Sequence, residues 1–265
     1  MSMSLIPLSC SWLVLLAQSP AHAPDADAVR QLLLSGRVVT MKTLSKGVTR
    51  PRRVTLATDA MTGDAVFQSI DQAKPIERFT GGRIEMDFRD SYHFNIAAWE
   101  LARLVGLEAM VPPCVERAIR SEKGSLCWWV PWKWDEQMRL DQKLRPPDTV
   151  RWQRQWDTMR VFRELVDDTD RNQTNMLISE DWHLWMVDFS RAFRKSAKLR
   201  KPEELRRCPE AVLARLRSLD DSAVKEAVER HLLPAELTAV LKRRDALVAH
   251  FDAQIAARGA ADVLF

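Results

Sequence analysis

The 265-residue sequence lacks the features that mark several large classes of protein. Its Lys and Arg outnumber its Asp and Glu by 40 to 36, a surplus too small to indicate a nucleic-acid-binding surface. No apolar stretch reaches the length of about 20 residues that a helix needs to cross a bilayer. Apolar residues at 46% and charged residues at 29% exclude disordered, collagen-like and multi-pass membrane chains. The length predicts one large domain or two closely packed lobes.

Motifs of several common active sites are also missing. The sequence contains no G-x-S-x-G, which removes the most recognisable hydrolase signal. Its five histidines form no H-x-x-x-H pair and its four cysteines form no C-x-x-C pair, so neither predicts a zinc site or a disulfide framework. We expect buried free thiols, with one bridge between Cys114 and Cys127 as the alternative if the chain is exported.

The first 24 residues carry no Asp, Glu, Lys or Arg. An apolar run over residues 13–17 precedes Ala21-His22-Ala23, an A-x-A-like cleavage site, so we predict a signal peptide over residues 1–23 and an exported chain, periplasmic or secreted. The segment is too short to span a bilayer, so no integral span is expected after cleavage. Because it has no positive side chain and Pro24 would follow the scissile bond, an apolar start of a cytoplasmic protein stays open as the alternative.

Short runs rich in β-branched residues fill much of the amino half. Separated by turn residues, they predict five strands, over residues 37–41, 53–57, 65–70, 115–118 and 125–130. Residues 46–49 would form the tip of the first hairpin, and residues 122–124 the turn of the last.

Helical periodicity appears in the middle of the chain and dominates its carboxyl half. Apolar residues recur on one face over residues 93–105, where Gly106 follows as a stop signal, and again over residues 150–166. Two short strands, over residues 176–178 and 184–187, follow a polar loop.

The order of these elements predicts the fold class. From Pro202 onward the chain is again helical by periodicity. The sequence therefore predicts an α+β protein with a β-rich N-lobe over residues 24–127, a connection over residues 128–134 and a mainly helical C-lobe over residues 135–265.

Three oxygen-bearing side chains stand at strand ends around the polar loop. Asp170 lies in the loop, Asn175 directly precedes one short strand, and Asp188 follows the other. A hairpin between these strands would bring Asn175 and Asp188 together, where their oxygens could hold Mg²⁺, a cation that prefers oxygen ligands. Asp170 would then face an incoming hydroxyl. This D-x-x-x-x-N and D-F-x arrangement is used in phosphoryl transfer.

The loop allows two other interpretations. Asp168, Asp170 and Asn172 imitate the start of an EF-hand loop, but Gln173 replaces its glycine and Ser179 its final glutamate, so a calcium loop is not favoured. Asp and Asn also cap strands and turns without any further role. The joint occurrence of D-R-N-x-x-N and a strand ending in D-F-S favours the metal site.

These same stretches resemble a known family. Residues 170–177, DRNQTNML, and residues 187–193, VDFSRAF, resemble the catalytic and metal-binding segments of atypical kinases: phosphatidylinositol kinases, HipA-like kinases and secretory-pathway casein kinases. Residues 95–107, NIAAWELARLVGL, and residues 111–113 are similar to the helix αC region of the last group. The resemblance covers about residues 37–195, as a diverged, bacterial-type branch. It implies a two-lobed protein-kinase-like fold.

The resemblance also implies a set of site residues and cofactors. Asp170 matches the catalytic aspartate, and Asn175 and Asp188 match the metal ligands, which implies ATP and Mg²⁺ as cofactors. Residues 129–134 would be the hinge beside the adenine, although aromatic side chains there could equally belong to the core. The loop over the nucleotide phosphates would be formed by Gly47, Val48 and Thr49.

Two positions depart from the kinase pattern. Gln68 stands where the strand lysine is expected, and Asn95 stands where the αC glutamate is expected. Their amides could hydrogen-bond to each other and to a phosphate oxygen, but neither supplies positive charge. That charge would have to come from Lys46, Lys74 or Arg78.

Three functions follow from this pattern. The first is a phosphotransferase whose partners are a nucleotide and a hydroxyl-bearing acceptor, not a nucleic acid. The second is a catalytically silent kinase-like scaffold, favoured by Gln68 and Asn95. The third keeps the metal site but transfers AMP or another group. Export of the chain conflicts with the first function, because ATP is scarce outside the cytoplasm.

Overall fold

The computed structural model describes residues 25–44, 50–82 and 84–265. The signal peptide predicted over residues 1–23 and the phosphate loop predicted at Gly47, Val48 and Thr49 lie outside these described residues. None of the described helices combines the length and the hydropathy that a membrane crossing requires. In chain order the elements are α1 (Ala26–Ser35), β1 (Arg37–Thr43), β2 (Arg52–Ala57), β3 (Thr62–Gln68), β4 (Asp71–Arg78), β5 (Ile84–Ser91), α2 (His93–Val105), β6 (Cys114–Ile119), β7 (Glu122–Trp128), β8 (Trp134–Asp135), α3 (Glu136–Asp141), α4 (Thr149–Val166), β9 (Met176–Ile178), β10 (Leu184–Met186), α5 (Glu210–Ser218), α6 (Asp221–Val228), α7 (Pro234–Arg258) and α8 (Ala260–Val263).

Five antiparallel strands form the main sheet, in the order β1-β2-β3-β7-β6. Helix α1 covers one face of this sheet, and its apolar side chains share a core with residues of the strands. The buried members of this core are Val29, Leu32, Leu33, Val54, Leu56, Ala65, Phe67, Val115, Ile119 and Leu126. Burial of these apolar side chains holds the helix to the sheet.

Helix α2 connects the sheet to the rest of the molecule. It spans residues 93–105, as the periodicity predicted, and Gly106 ends it with a φ of 76° in the left-handed region that glycine adopts freely. Phe94 and Trp99 of this helix are buried in a second, larger core built mostly from the carboxyl half. Asn95, in the first turn of this helix, is buried and hydrogen-bonds to Gln68 and Ser125 of the main sheet.

The carboxyl half begins with a small sheet and a long helix. Asp148 caps α4 by accepting hydrogen bonds from the N–H groups of Val150 and Arg151. Asp167, in the left-handed conformation with a φ of 45°, ends the helix and starts the polar loop. Strands β9 and β10 then form the predicted hairpin, and β8 completes a three-stranded sheet in the order β10-β9-β8.

A buried arginine of α7 fixes the segments on both sides of this hairpin. The guanidinium of Arg243 donates to the carbonyl oxygens of Leu165 and Arg194, each at 2.9 Å, and to that of Ser196. Burial lowers the pKa of Arg243 to about 10, which still leaves it charged at neutral pH. A single side chain therefore ties the end of α4 to the chain that follows the D-F-S segment.

The predicted α+β class is confirmed, with a β-rich amino half and a mainly helical carboxyl half. The lobe boundaries at residues 24–127, 128–134 and 135–265 stay a prediction. The sequence did not predict α1 or the separate two-stranded hairpin of β4 and β5. The hairpin of β6 and β7 turns at residues 120–121, earlier than the predicted residues 122–124, because Glu122 already pairs with Ile119.

The expectation of free thiols is wrong for two of the cysteines. Cys114 and Cys127 form a disulfide, because the register of β6 and β7 places them directly opposite each other. Cys208, the remaining cysteine among the described residues, is free and buried. Burial raises the pKa of its thiol to about 12, so it is protonated at neutral pH.

We predict that Gly124→Ala destabilises the sheet at the end of β3. A Cβ atom at this position would lie 2.2 Å from the backbone oxygen of Gln68 and 2.8 Å from the ring of Phe67. Since neither backbone nor ring can move freely, we expect a loss of about 1–3 kcal/mol in the free energy of unfolding, as is typical of overpacked sites. Urea denaturation measures this loss, and Lys123→Ala on the exposed neighbouring residue is the control. Equal stability of the two variants would contradict the close approach of the two strands.

Candidate functional site

A cavity of about 270 Å³ lies between the ends of β3 and β7, the first turn of α2 and the β9–β10 hairpin. We call it the central cavity. Gln68, Asn95, Asn175 and Asp188 all line it, so the structure brings these four sequence-selected residues to one place. Its apolar lining comes from Leu44, Val66, Val111, Trp128, Trp129, Val130, Trp132, Leu177 and Met186, among others.

The polar loop positions Asn175 through a buried ion pair. Arg171 pairs with Asp168, and their side chains are only 2% and 0% exposed. The guanidinium of Arg171 also donates to the backbone oxygens of Asn175 at 2.8 Å and of Val187 at 2.5 Å. Because one buried group holds the loop and the end of β10 together, residues 175 and 188 are fixed relative to each other.

The amide of Asn175 has one side engaged by the protein. Its Nδ2 donates to the backbone oxygen of Asp170 at 3.0 Å, and the N–H of Val187 donates to the backbone oxygen of Asn175 at 3.1 Å. The amide oxygen is therefore the side-chain atom of Asn175 that is left for a ligand. This is the atom type that a hard cation binds.

Asp188 adopts a backbone conformation that is uncommon for residues other than glycine. Its φ of 56° lies in the left-handed region, which aspartate tolerates better than most residues. Burial raises the pKa of its carboxyl above the usual range, and hydrogen bonds from Ser190, the charge of Arg171 and a hydrogen bond from Gln68 oppose this rise. The carboxyl is thus held by the protein in a partly buried position that disfavours its negative charge.

Sequence reasoning missed Asp90, at the end of β5. Burial raises the pKa of the Asp90 carboxyl; a hydrogen bond from Ser190 opposes the rise, and the negative charges of Asp188 and Asp170 add to it. Its Oδ1 is buried without a hydrogen-bond partner. Three carboxyl groups from three separate segments therefore share one small region. A carboxylate at a strand end close before α2 was the only sequence signal for Asp90.

Asp170 itself is not among the residues that line the central cavity. Its backbone N–H donates to the carboxylate of Asp168 at 3.0 Å, and its backbone oxygen accepts from Asn172 and Asn175. The side chain is half-buried, and its charge acts on Asp90. Asp170 is thus placed beside the carboxyl cluster and just outside the cavity.

The donor set fits a divalent cation that prefers oxygen. The carboxyl groups of Asp188 and Asp170 both repel charge on Asp90, and the buried Oδ1 of Asp90 lacks a partner. With the amide oxygen of Asn175 they offer only oxygen atoms, as Mg²⁺ requires. A bound divalent cation would neutralise charge that the protein itself leaves uncompensated.

The predicted bond between the two replaced kinase positions is confirmed. Asn95 Nδ2 donates to Gln68 Oε1 at 2.7 Å and reaches the hydroxyl of Ser125 at 3.3 Å. Asn95 Oδ1 accepts from the backbone N–H of Phe189 at 2.7 Å, and Gln68 lines the same cavity as Asp188. These buried amides connect β3, α2, β7 and the D-F-S segment in one network. We call it the amide network.

No lysine or arginine of the described residues lines the central cavity. Lys74 lies on β4, pairs with Glu77 at 2.6 Å and sits over the ring of Phe88. Arg78 lies at the end of the same strand, and Lys46 is outside the described residues. The structure therefore does not bring the positive charge considered for Lys74 or Arg78 to this cavity.

The tryptophan-rich connection lies along one side of the cavity. Trp128, Trp129 and Trp132 contribute to the lining, whereas Trp134 packs against Trp182 with ring centres 5.5 Å apart. Arg53 lies over the Trp129 ring at 4.3 Å. The first part of the segment thus faces the cavity and its last part belongs to the core, while its role as a hinge beside an adenine stays a prediction.

Comparisons with known proteins place the fold. No protein-family model matches the chain, and no curated protein matches it. Among solved structures, hydra Fam20 with sugar is similar with a TM-score of 0.66 and 15% identity over 91% of this chain and 92% of that one. The Golgi casein kinase is similar with a TM-score of 0.64 and 14% identity, over 90% of this chain and 78% of that one. The Helicobacter pylori proinflammatory kinase CtkA is similar with a TM-score of 0.53 and 10% identity, over 85% of this chain and 98% of that one. The chain therefore has an atypical kinase-like fold.

We predict that Asn95→Ala costs about 1–3 kcal/mol of stability for each buried polar group that it leaves without a partner. The groups concerned are the N–H of Phe189 and Oε1 of Gln68. Urea denaturation measures the loss. Arg103→Ala, an exposed change on the same helix, should stay within about 0.5 kcal/mol of the parent protein. A loss no larger than that of the control would show that the amide network contributes little.

A second prediction concerns the raised pKa of Asp188. Because the folded protein favours the protonated carboxyl, its stabilising effect is present at low pH and is lost as the pH rises through the raised pKa. We therefore expect Asp188→Asn to raise the Tm of the metal-free protein at neutral pH.

The same thermal melts also test the cation. Added Mg²⁺ should raise the Tm of the parent protein and leave that of Asp188→Asn unchanged, because the variant lacks the charged ligand. Asp59→Asn, an exposed change, is the matched control and should respond as the parent does. An equal Mg²⁺ response in all three proteins would contradict this metal site.

Proposed function

We propose that this chain is a kinase-like phosphotransferase that uses ATP and Mg²⁺ to modify a hydroxyl-bearing acceptor. The observation that supports it most strongly is the convergence of Asn175, Asp188 and Asp90 beside a cavity in a kinase-like fold, with Asp170 next to them. Carboxyl groups whose charges repel favour a site that binds a cation.

Each residue takes a separate role in this proposal. Asn175 and Asp188 bind Mg²⁺ through their side-chain oxygens, and Asp90 joins them as a second carboxyl ligand. Mg²⁺, when bound, neutralises charge on the nucleotide phosphates. Asp170 orients the acceptor hydroxyl. The hydroxyl oxygen bonds to the γ-phosphorus as the bond to the departing ADP breaks, and the hydroxyl proton passes to the Asp170 carboxylate.

The nucleotide base would occupy the apolar part of the central cavity. Trp129 and Trp132 provide flat apolar surfaces there. Gly47, Val48 and Thr49 would cover the phosphates. Gln68 would contact a phosphate oxygen through its amide, in place of the usual lysine.

A second function is favoured by one specific observation: no described lysine or arginine faces the cavity. A kinase normally pairs the phosphates with a lysine held by a glutamate, whereas Gln68 and Asn95 are bound to each other. The alternative is a pseudokinase-type protein that binds a nucleotide or a partner without turnover.

Export of the mature chain is a separate proposal, independent of the reaction. The disulfide between Cys114 and Cys127 fits an oxidising compartment, in which such bonds persist. An exported chain would meet little ATP, so export favours the binding alternative or a different nucleotide. Cleavage after Ala23 in the purified exported protein, read by mass spectrometry, tests this part.

The test of function is a transfer assay with ATP labelled in turn at its γ- and α-phosphates. We expect γ-label transfer by the parent protein. Asp170→Asn should lower kcat by about 100-fold or more while nucleotide binding persists. Asp188→Asn should lose transfer and Mg²⁺-dependent nucleotide binding together. Asp59→Asn is the control and should behave as the parent.

Each other outcome has a definite meaning. Transfer of the α-label would assign AMP transfer to this site. A nucleotide-induced rise in Tm without transfer of either label would overturn the phosphotransferase in favour of the binding protein. The double variant Gln68→Lys with Asn95→Glu, which restores the missing ion pair, should then gain turnover if the pair alone was limiting.

A further inference from the structure

Away from the central cavity, three metal-binding side chains meet at the amino end of α2. His93 is the first residue of this helix, Glu116 lies on β6, and His231 lies between α6 and α7. The Nδ1 atoms of the two histidines are 3.1 Å apart, and Glu116 Oε2 is 3.8 Å from His93 Nδ1. One ligand atom from each residue lies within 4.8 Å of the other two.

The two imidazole rings approach each other through their Nδ1 atoms. If both rings are neutral, an Nδ1 to Nδ1 contact needs one nitrogen to carry a proton and the other to lack it. If both Nδ1 atoms lack protons, their lone pairs repel unless a cation lies between them. The ring of Tyr92 is stacked on His93 with centres 4.1 Å apart, which limits how far His93 can rotate away.

The spacing is that of two ligands on one metal ion. Zn–N bonds of about 2.0–2.1 Å in tetrahedral geometry separate two nitrogen ligands by about 3.3 Å. The observed distance of 3.1 Å between the two Nδ1 atoms is close to this value. The carboxylate of Glu116, 3.8 Å from His93 Nδ1, needs to move only a little to complete the ligand set. Its side chain is 34% exposed, so it has room for this adjustment.

The residue types also suit a divalent cation. Imidazole nitrogen is the commonest side-chain metal ligand. Glu116 supplies the negative charge that offsets the cation.

We propose that His93, Glu116 and His231 form a zinc site, with the fourth ligand position open to solvent. Two histidines and one carboxylate are a ligand set that zinc uses, and such three-residue sites leave a position for water. Glu116 and His231 also line a cavity of about 910 Å³ between α1, α2 and α6, through which water reaches the site. The site is separate from the central cavity, which none of its three residues lines.

A metal at this position would couple distant parts of the chain. It would link the start of α2 to the main sheet through β6 and to the segment between α6 and α7. Asn95 lies two positions after His93 and carries the amide network. Zinc would therefore hold α2 in the position that this network needs.

The test uses the full chain, freed of any purification tag and stripped of metal with a chelator. Zn²⁺ titration, followed by elemental analysis, should give one equivalent per chain and a higher Tm. Co²⁺ in place of zinc should give the strong visible absorption of a tetrahedral site. His231→Gln should weaken Zn²⁺ affinity by more than about 100-fold, beyond the range of about 10–100-fold for residues that only support a ligand.

Three further variants keep the test decisive. Glu116→Gln changes a partly exposed side chain, so it should fold and still lose the Co²⁺ spectrum. His250→Gln, a histidine of α7 that contacts the carbonyl oxygen of Leu205, is the matched control and should bind as the parent does. Asp188→Asn should also keep zinc, which separates this site from the proposed magnesium site. Unchanged zinc affinity in folded His231→Gln and Glu116→Gln, or a parent that binds no zinc, would overturn the proposal.

Discussion

The placement of Asn95 is the constraint on which the site depends. Its two amide atoms have separate buried partners: Nδ2 binds Gln68 of β3, and Oδ1 binds the backbone of Phe189 next to Asp188. A buried amide that loses either partner is costly, so the relative position of sheet, helix and D-F-S segment is specified closely. In kinases an ion pair performs this connection. Here two neutral side chains perform it, so the connection itself buries no charged side chain.

The consequence for the electrostatics is a site with an excess of negative charge. The charges of Asp188 and Asp170 both act on Asp90. The two arginines that act on this cluster are engaged elsewhere as well: Arg171 holds backbone carbonyls and pairs with Asp168, and Arg191 pairs with Glu85. The protein holds these carboxyl groups in place, and a bound cation would balance their charge. This separation of geometry from charge balance is what makes the cluster a candidate cation site.

The sequence predicted the parts of the site that depend on local spacing. Asn175 and Asp188 flank a two-strand hairpin, so their proximity follows from strand pairing over a short stretch of chain. Asp90 could not be found in this way, because it reaches the cluster only when the N–H of Ser91 binds the carbonyl oxygen of Ser190. The pairing of Cys114 with Cys127 likewise depends on register, which a turn shifted by even one or two residues would change.

The tryptophans beside the central cavity have an optical consequence. Indole emission changes with the polarity and stacking of its surroundings, and Trp128, Trp129 and Trp132 all line the cavity. The chain therefore carries an intrinsic fluorophore group where a ligand would bind, without any dye or label. Other indoles, such as the buried ring of Trp99, would contribute a constant background against which occupancy of the cavity becomes visible.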